Sequence, residues 1–255
     1  MFSYGGGSSG YRDPRDLALS KGILNIDRPQ LFQWNALYQL PIGANRALLG
    51  HAPHWVDSIL GGWQVSSAFQ AQSGVPLTFT TSNYTYTYDT GEPQTATLVG
   101  QLPANYAQVT KGNGFVQYFP GLSVAAAPEP NFGGDPTLPG RYTNLQVVTS
   151  SGQPLLVNAA PGTIGNTALN LPGFRGPGLF ALNASASKIF YITERKYITV
   201  RADAINLTNT PQWGYSSNAN SGALGINTNI DSTSFGRITS AAGSRLITFY
   251  ARFDF

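Results

Sequence analysis

The sequence predicts an all-β protein: an antiparallel up-and-down sheet forming the C-terminal part of a transmembrane β-barrel with long extracellular loops. Three observations predict it. Apolar and polar residues alternate with period two in successive segments, the mark of strands with two different environments. Short and long connections alternate between those segments, as they do in outer-membrane barrels. Charged residues make up only 11% of the chain, against about 25% in an average domain. Ser, Thr, Asn, Gln, Gly and Tyr stand in their place.

The first 30 residues read as the tail of a strand and a loop. The run Gly6-Gly7-Ser8-Ser9-Gly10 matches a nucleophile-elbow pattern. That motif needs a strand before it and a helix after it, whereas the turn-like Arg12-Asp13-Pro14-Arg15-Asp16 follows, so a flexible glycine loop is expected. A strand near 31–40 puts Phe32, Trp34, Ala36, Tyr38 and Leu40 on one face, and Gln33, Asn35, Leu37 and Gln39 on the other. Pro41-Ile42-Gly43 ends it, because proline cannot donate to a ladder and glycine permits the turn. The connection to Leu60 holds His51 and His54. With no acidic or cysteine cluster beside them, and Pro53 between them, they read as exposed turn residues rather than metal ligands.

A strand near 63–80 follows, with Val65, Ser67, Phe69 and Ala71 opposite a polar row of glutamines and serines. Gly74-Val75-Pro76 is expected to bend it. Residues 82–177 read as one long irregular loop, with hairpins expected at 84–88, 145–148 and 154–157. Its tyrosines are ordinary loop and strand residues, or contacts for a sugar or siderophore ring. Strands near 179–192 and 197–208 are joined by the charged turn Thr193-Glu194-Arg195-Lys196. Lys188 falls on the apolar parity, where its long stem is expected to carry the charge to the membrane interface. Arg201 and Asp203 share the polar face and are expected to form an ion pair in the barrel lumen. Residues 209–244 are another Asn/Gly/Ser-rich loop.

The last strand, near 245–255, alternates most strictly. Ile247, Phe249, Ala251, Phe253 and Phe255 share one face, while Leu246, Thr248, Tyr250, Arg252 and Asp254 share the other. The apolar face meets a core in a soluble sheet, or lipid in a barrel. The segment resembles the C-terminal assembly signal of bacterial outer-membrane proteins, carried by Phe249, Phe253 and the closing Phe255.

The 255 residues include no Cys, which excludes a disulfide framework and a thiolate metal site. A net charge of +3 implies no nucleic-acid partner. No apolar run approaches the roughly 20 residues of a membrane helix. The N-terminal residues lack a basic start and an apolar stretch, so a surface protein here is expected to be a C-terminal piece of a longer one. No acid–base pair, nucleophile or metal cluster emerges, so neither an enzyme nor a cofactor is expected.

Several stretches together resemble one family. They are Asp27-Arg28-Pro29; Leu40-Pro41-Ile42-Gly43; Leu60-Gly61-Gly62-Trp63-Gln64-Val65-Ser66; Gln72-Ser73-Gly74-Val75-Pro76-Leu77-Thr78; Arg175-Gly176-Pro177-Gly178; Arg201-Ala202-Asp203-Ala204-Ile205-Asn206-Leu207-Thr208-Asn209; and Phe235-Gly236-Arg237-Ile238-Thr239. In this order and with this ending they resemble the C-terminal part of TonB-dependent receptors of the Oar-like kind, over residues from about 20 to 255 apart from the variable region near 82–160. The resemblance implies a barrel of about 22 strands closed by a plug, placed in the outer membrane of a Gram-negative bacterium. It implies energised uptake of a small nutrient ligand of unknown identity. Its expected partners are outer-membrane lipid, the barrel assembly machinery and, through the plug region, the TonB complex. Plug and TonB-contacting box have no counterpart in these residues, so the segment alone is expected not to transport. The alternative is a secreted β-sandwich or adhesin-like carbohydrate-binding module.

Overall fold

The computed structural model describes residues 16–51, 53–83, 94–103, 106–130, 142–215 and 225–255. The glycine run before residue 11 and the tyrosine-rich stretch 84–88 lie outside them. The chain divides into two compact units, one from residues 30–72, 179–212 and 243–255, the other from residues 1–29, 73–178 and 213–242.

The first unit is a single five-stranded sheet. Its strands are β1 (Leu31–Gln39), β2 (Gln64–Gln72), β3 (Leu179–Tyr191), β4 (Tyr197–Ile205) and β5 (Leu246–Asp254). They stand in chain order and every neighbour is antiparallel. Four have nine residues, within the roughly 9–11 that a tilted strand needs to cross a bilayer. One end of the sheet carries the connections 40–63, with the short helix α1 (His54–Leu60), and 192–196. No helix among the described residues is long and apolar enough to cross a membrane.

Two strands end earlier than their alternation suggests. β2 stops at Gln72, and Pro76–Leu77 pairs instead with Leu171–Arg175 in the other unit. The hinge is Gly74, whose missing β-carbon would lie 1.8 Å from the carbonyl oxygen of Gly176. β4 stops at Ile205 because Asn206 takes a left-handed backbone, φ 48°, which Asn tolerates better than most residues. Asn206 is buried, and its side chain replaces the ladder. Its amide donates to the carbonyls of Thr210, at 3.0 Å, and Gly243, while its own N–H donates to Asn183 Oδ1 at 2.9 Å.

Within 82–177 the second unit is more regular than expected. Thr97–Leu98, Pro154–Val157, Leu145–Thr149 and Leu122–Ala126 form a four-stranded antiparallel sheet. The alternating stretches 145–148 and 154–157 are two of its strands. Phe79, Phe119, Val147, Leu155, Leu156 and Ile230 are fully buried. Phe79 meets Phe174 edge-on at 4.4 Å between centroids and lies 5.7 and 5.9 Å from Phe119 and Phe235. A fully buried Phe side chain is worth about 1.5–3 kcal/mol, so this cluster gives the unit a core of its own. Low charge and scattered Gly and Pro give the region a structureless look, yet its core residues come from stretches far apart in the chain and converge only on folding.

Candidate functional site

The functional feature of the five-stranded sheet is the difference between its two faces. Register alone assigns every side chain to one of them, because successive residues of a strand point to opposite sides. Trp34 pairs with Phe69, which pairs with Leu182. Tyr38, Val65, Ala186, Ala202 and Phe249 form one cross-strand row, and Ile198 faces Phe253. Thus Trp34, Tyr38, Phe69, Leu182, Val200, Phe249 and Phe253 share one face, and none of them is buried. Phe249 is 77% exposed. The two-sheet sandwich is overturned for this sheet, since a sandwich would bury these rows against a second layer.

Rings gather toward the two ends of this face. Phe69 makes edge contacts with Phe180 at 5.1 Å, Phe32 at 5.9 Å and Trp34 at 6.3 Å. At the other end lie Phe190, Phe253 and Phe255, the last two stacked at 5.9 Å. Between them, Tyr38 and Phe249 apart, the rows are aliphatic or small: Ala36, Ser67, Ala184, Ala204 and Ile247, then Val65, Ala186 and Ala202. Aromatic belts flanking an apolar band are how a barrel exterior meets the two interfaces of a bilayer. Of the terminal phenylalanines, Phe249 and Phe253 stand on the apolar face within β5, and Phe255 lies just past it, 91% exposed.

The opposite face is polar and cups an open trough of about 570 Å³, lined by Asn35, Ser66, Asn183, Arg201, Asp203 and Tyr250 among others. Ser66 and Ser185 share a hydrogen bond of 2.7 Å across β2 and β3. Arg201 Nε donates to Asp203 Oδ1 at 2.6 Å. A second pair of the same spacing, Arg252 with Asp254, closes at 2.7 Å. The same Arg-x-Asp step on a polar face marks this second pair in the sequence. Both arginines are exposed, so each pair contributes only about 0.2–1 kcal/mol. They set the polarity of the face more than its stability.

Lys188 departs from expectation. It does not reach outward to an interface; it is 5% exposed. Its ammonium donates to the carbonyls of Gly61 and, at 3.4 Å, Asp57, and stands 4.9 Å from the centre of the Phe190 ring. The β1–β2 connection folds back over it and supplies those acceptors, which no local pattern announces. His51 and His54 are exposed, with His54 Nδ1 3.3 Å from Ser58 Oγ. Among the described residues no three His, Asp or Glu side chains converge as metal ligands.

In the other unit, three of the family-like stretches meet. Arg175 Nη2 donates to Asp27 Oδ2 at 2.6 Å, and Nη1 donates to the carbonyls of Asp27 and Gly74 at 3.0 and 3.3 Å. Arg28 Nη1 donates to the carbonyl of Ser73 at 3.0 Å and to Tyr215 Oη at 3.1 Å. Tyr118 Oη donates to the Arg175 carbonyl at 2.7 Å. Burial pushes the Tyr118 phenol well above the ordinary tyrosine range, with Tyr106 and Tyr215 adding to the shift. A fourth stretch is pinned by Gly236, φ 76°, where a β-carbon would meet Gln117 Nε2 at 2.5 Å.

A family model described as an outer membrane beta barrel domain matches residues 2–248. No curated protein matches the chain. No solved structure matches it either.

Proposed function

The chain belongs to the outer-membrane β-barrel family, and from that premise we propose that it is the C-terminal barrel segment of a TonB-dependent receptor of the Oar-like kind, serving energised uptake of a small nutrient. The protein is placed in the outer membrane of a Gram-negative bacterium by its family; the receptor class is the step beyond.

The observation that carries this reading is the relation between the two edge strands. β1 and β5 are separated by four antiparallel pairings and therefore run parallel to each other. Among the described residues neither has a partner on its outer side. An open edge cannot stand in hydrocarbon, because each unpaired backbone group there costs several kcal/mol. Copies of this sheet joined edge to edge would pair β5 with β1 in parallel, whereas outer-membrane barrels are antiparallel. An odd number of further strands must intervene, which favours a place in a larger barrel over a barrel of identical pieces. The set of family-like stretches, several of them meeting around Arg175 and Gly74, supports the receptor class.

In this role the apolar face meets lipid and the polar face lines the bore. The terminal phenylalanines engage the assembly machinery. The TonB complex acts through a plug region, and no residue of this segment is assigned a catalytic task. The test is the mass of the native protein in purified outer membranes, combined with photo-crosslinking to TonB. A mass far above 27.2 kDa and a TonB crosslink are expected. A mature 27.2-kDa protein without the crosslink would overturn the proposal.

A further inference from the structure

The β1–β2 connection is more ordered, and greasier, than a turn in water needs to be. Ala44 N donates to Asp57 Oδ1 at 2.5 Å, Gly43 N to the Leu48 carbonyl and Leu48 N to the Pro41 carbonyl, both at 2.9 Å, and Trp63 Nε1 to the Ile59 carbonyl at 3.1 Å. Gly43 and Gly61 approach so closely that a β-carbon on Gly43 would lie 2.9 Å from the Gly61 α-carbon. This frame nevertheless exposes Leu48, Leu49, Leu60, Trp55 at 67% and Ile59 at 55%. Trp55 and Ile59 are four apart on α1 and so share one side of the helix. The carboxylate of Asp57 is turned inward, leaving Arg46, His51 and His54 as the exposed basic groups.

The connection also has a defined place. Its carbonyls cover Lys188, a member of the apolar rows of β3, so it sits at the end of the membrane-facing side. That end carries the shorter connections, and in outer-membrane barrels such an end is the periplasmic one.

We propose that this connection is an in-plane membrane anchor: Trp55, Ile59, Leu60, Leu48 and Leu49 seat in the headgroup and upper acyl layer of the inner leaflet, with Arg46 toward lipid phosphates. Short amphipathic segments bury an apolar side about 5–10 Å into that boundary, and Trp is favoured at that depth. Lys188 would then be the staple that holds the anchor against the barrel wall, its ammonium solvated by connection carbonyls rather than by water. The proposal rests on the outer-membrane assignment and not on the transport reading, so it can fail or stand separately.

This chain holds no cysteine, so once any cysteine elsewhere in the full-length protein is replaced by serine, a cysteine introduced here is labelled specifically. Ile59→Cys and, as a control in the other short connection, Glu194→Cys are introduced into the full-length protein. Each is spin-labelled in vesicles of phosphatidylethanolamine and phosphatidylglycerol. Collision with a water-soluble nickel chelate is expected to be several-fold lower at position 59 than at 194, while collision with oxygen, which concentrates in lipid, is higher. Equal nickel access at the two positions would overturn the proposal. Protection of position 59 from both reagents, the mark of a covering protein, would overturn it as well. Leu48→Cys provides a second site with the same expected outcome should the first variant fail to assemble.

Discussion

Arg175 and Asp27 are 148 positions apart and joined at 2.6 Å. The same guanidinium holds two backbone carbonyls, so one side chain ties the segment before β1, the bend after β2 and the segment before β3. Replacing Arg175 with Met is expected to cost about 1.5–3 kcal/mol, the range for hydrogen bonds to charged groups, toward its lower end because both partners keep some solvent contact. Arg175→Lys should recover only part of that, since an ammonium cannot reproduce the planar fork. Pulse proteolysis across a urea series reads the difference.

Gly74 offers a steric test beside it. An added methyl would overlap the Gly176 carbonyl, and backbone cannot move aside as a flexible side chain would. Gly74→Ala is expected to lower the amount of folded protein in the outer membrane several-fold. Gly173→Ala is the matched control, with open space where its β-carbon would go; equal losses in the two variants would contradict the account of the bend.

The two faces of the sheet predict opposite responses to one charge. Phe249→Lys puts an ammonium on the lipid side and is expected to cost about 2–4 kcal/mol, as for a lysine near the bilayer midplane. Thr248→Lys, one residue away, faces Asp203 across β4 and β5 and should be nearly neutral. Outer-membrane abundance of the pair, and their unfolding midpoints in urea, check this.

Deleting Phe255 removes a ring that stacks on Phe253 but lies beyond the last ladder residue. Its loss should leave the sheet's stability almost unchanged and lower delivery to the outer membrane. Unchanged surface abundance would argue against an assembly role for the terminal ring.

Alkaline pH is expected to act on the second unit through Tyr118. Its phenol ionises above the ordinary range when folded, so the unfolded chain loses this proton first as pH rises. The stabilisation is full below the unfolded value of about 10 and fades from there through the folded value. Absorbance titration should show one tyrosine fewer ionising late in Tyr118→Phe than in the parent. That variant should also lose about 0.5–1.5 kcal/mol at neutral pH with the bond to the Arg175 carbonyl, and be less sensitive to alkali.

Much of the sheet was legible because its rule is local. Alternation in Phe32–Leu40 or Ile247–Phe255 assigns each side chain to a face wherever the strand ends up, and antiparallel pairing preserves that assignment across all five strands. The Arg201–Asp203 pair was legible for the same reason, since two positions on one strand are neighbours without any help from the fold. Strand ends were less so: β2 stops where Gly74 must meet Gly176, a contact between stretches about a hundred positions apart.

By itself, then, the chain's residue order determined two-faced strands and their turns, because pleat and proline or glycine chemistry act over a few residues. Only the tertiary structure decided that the span 82–177 builds a packed core, that Lys188 turns onto the carbonyls of Asp57 and Gly61, and that Arg175 finds Asp27. Each of those depends on which distant segments are brought together, and burial and hydrogen bonding reward that meeting only once the chain has closed the loops between them.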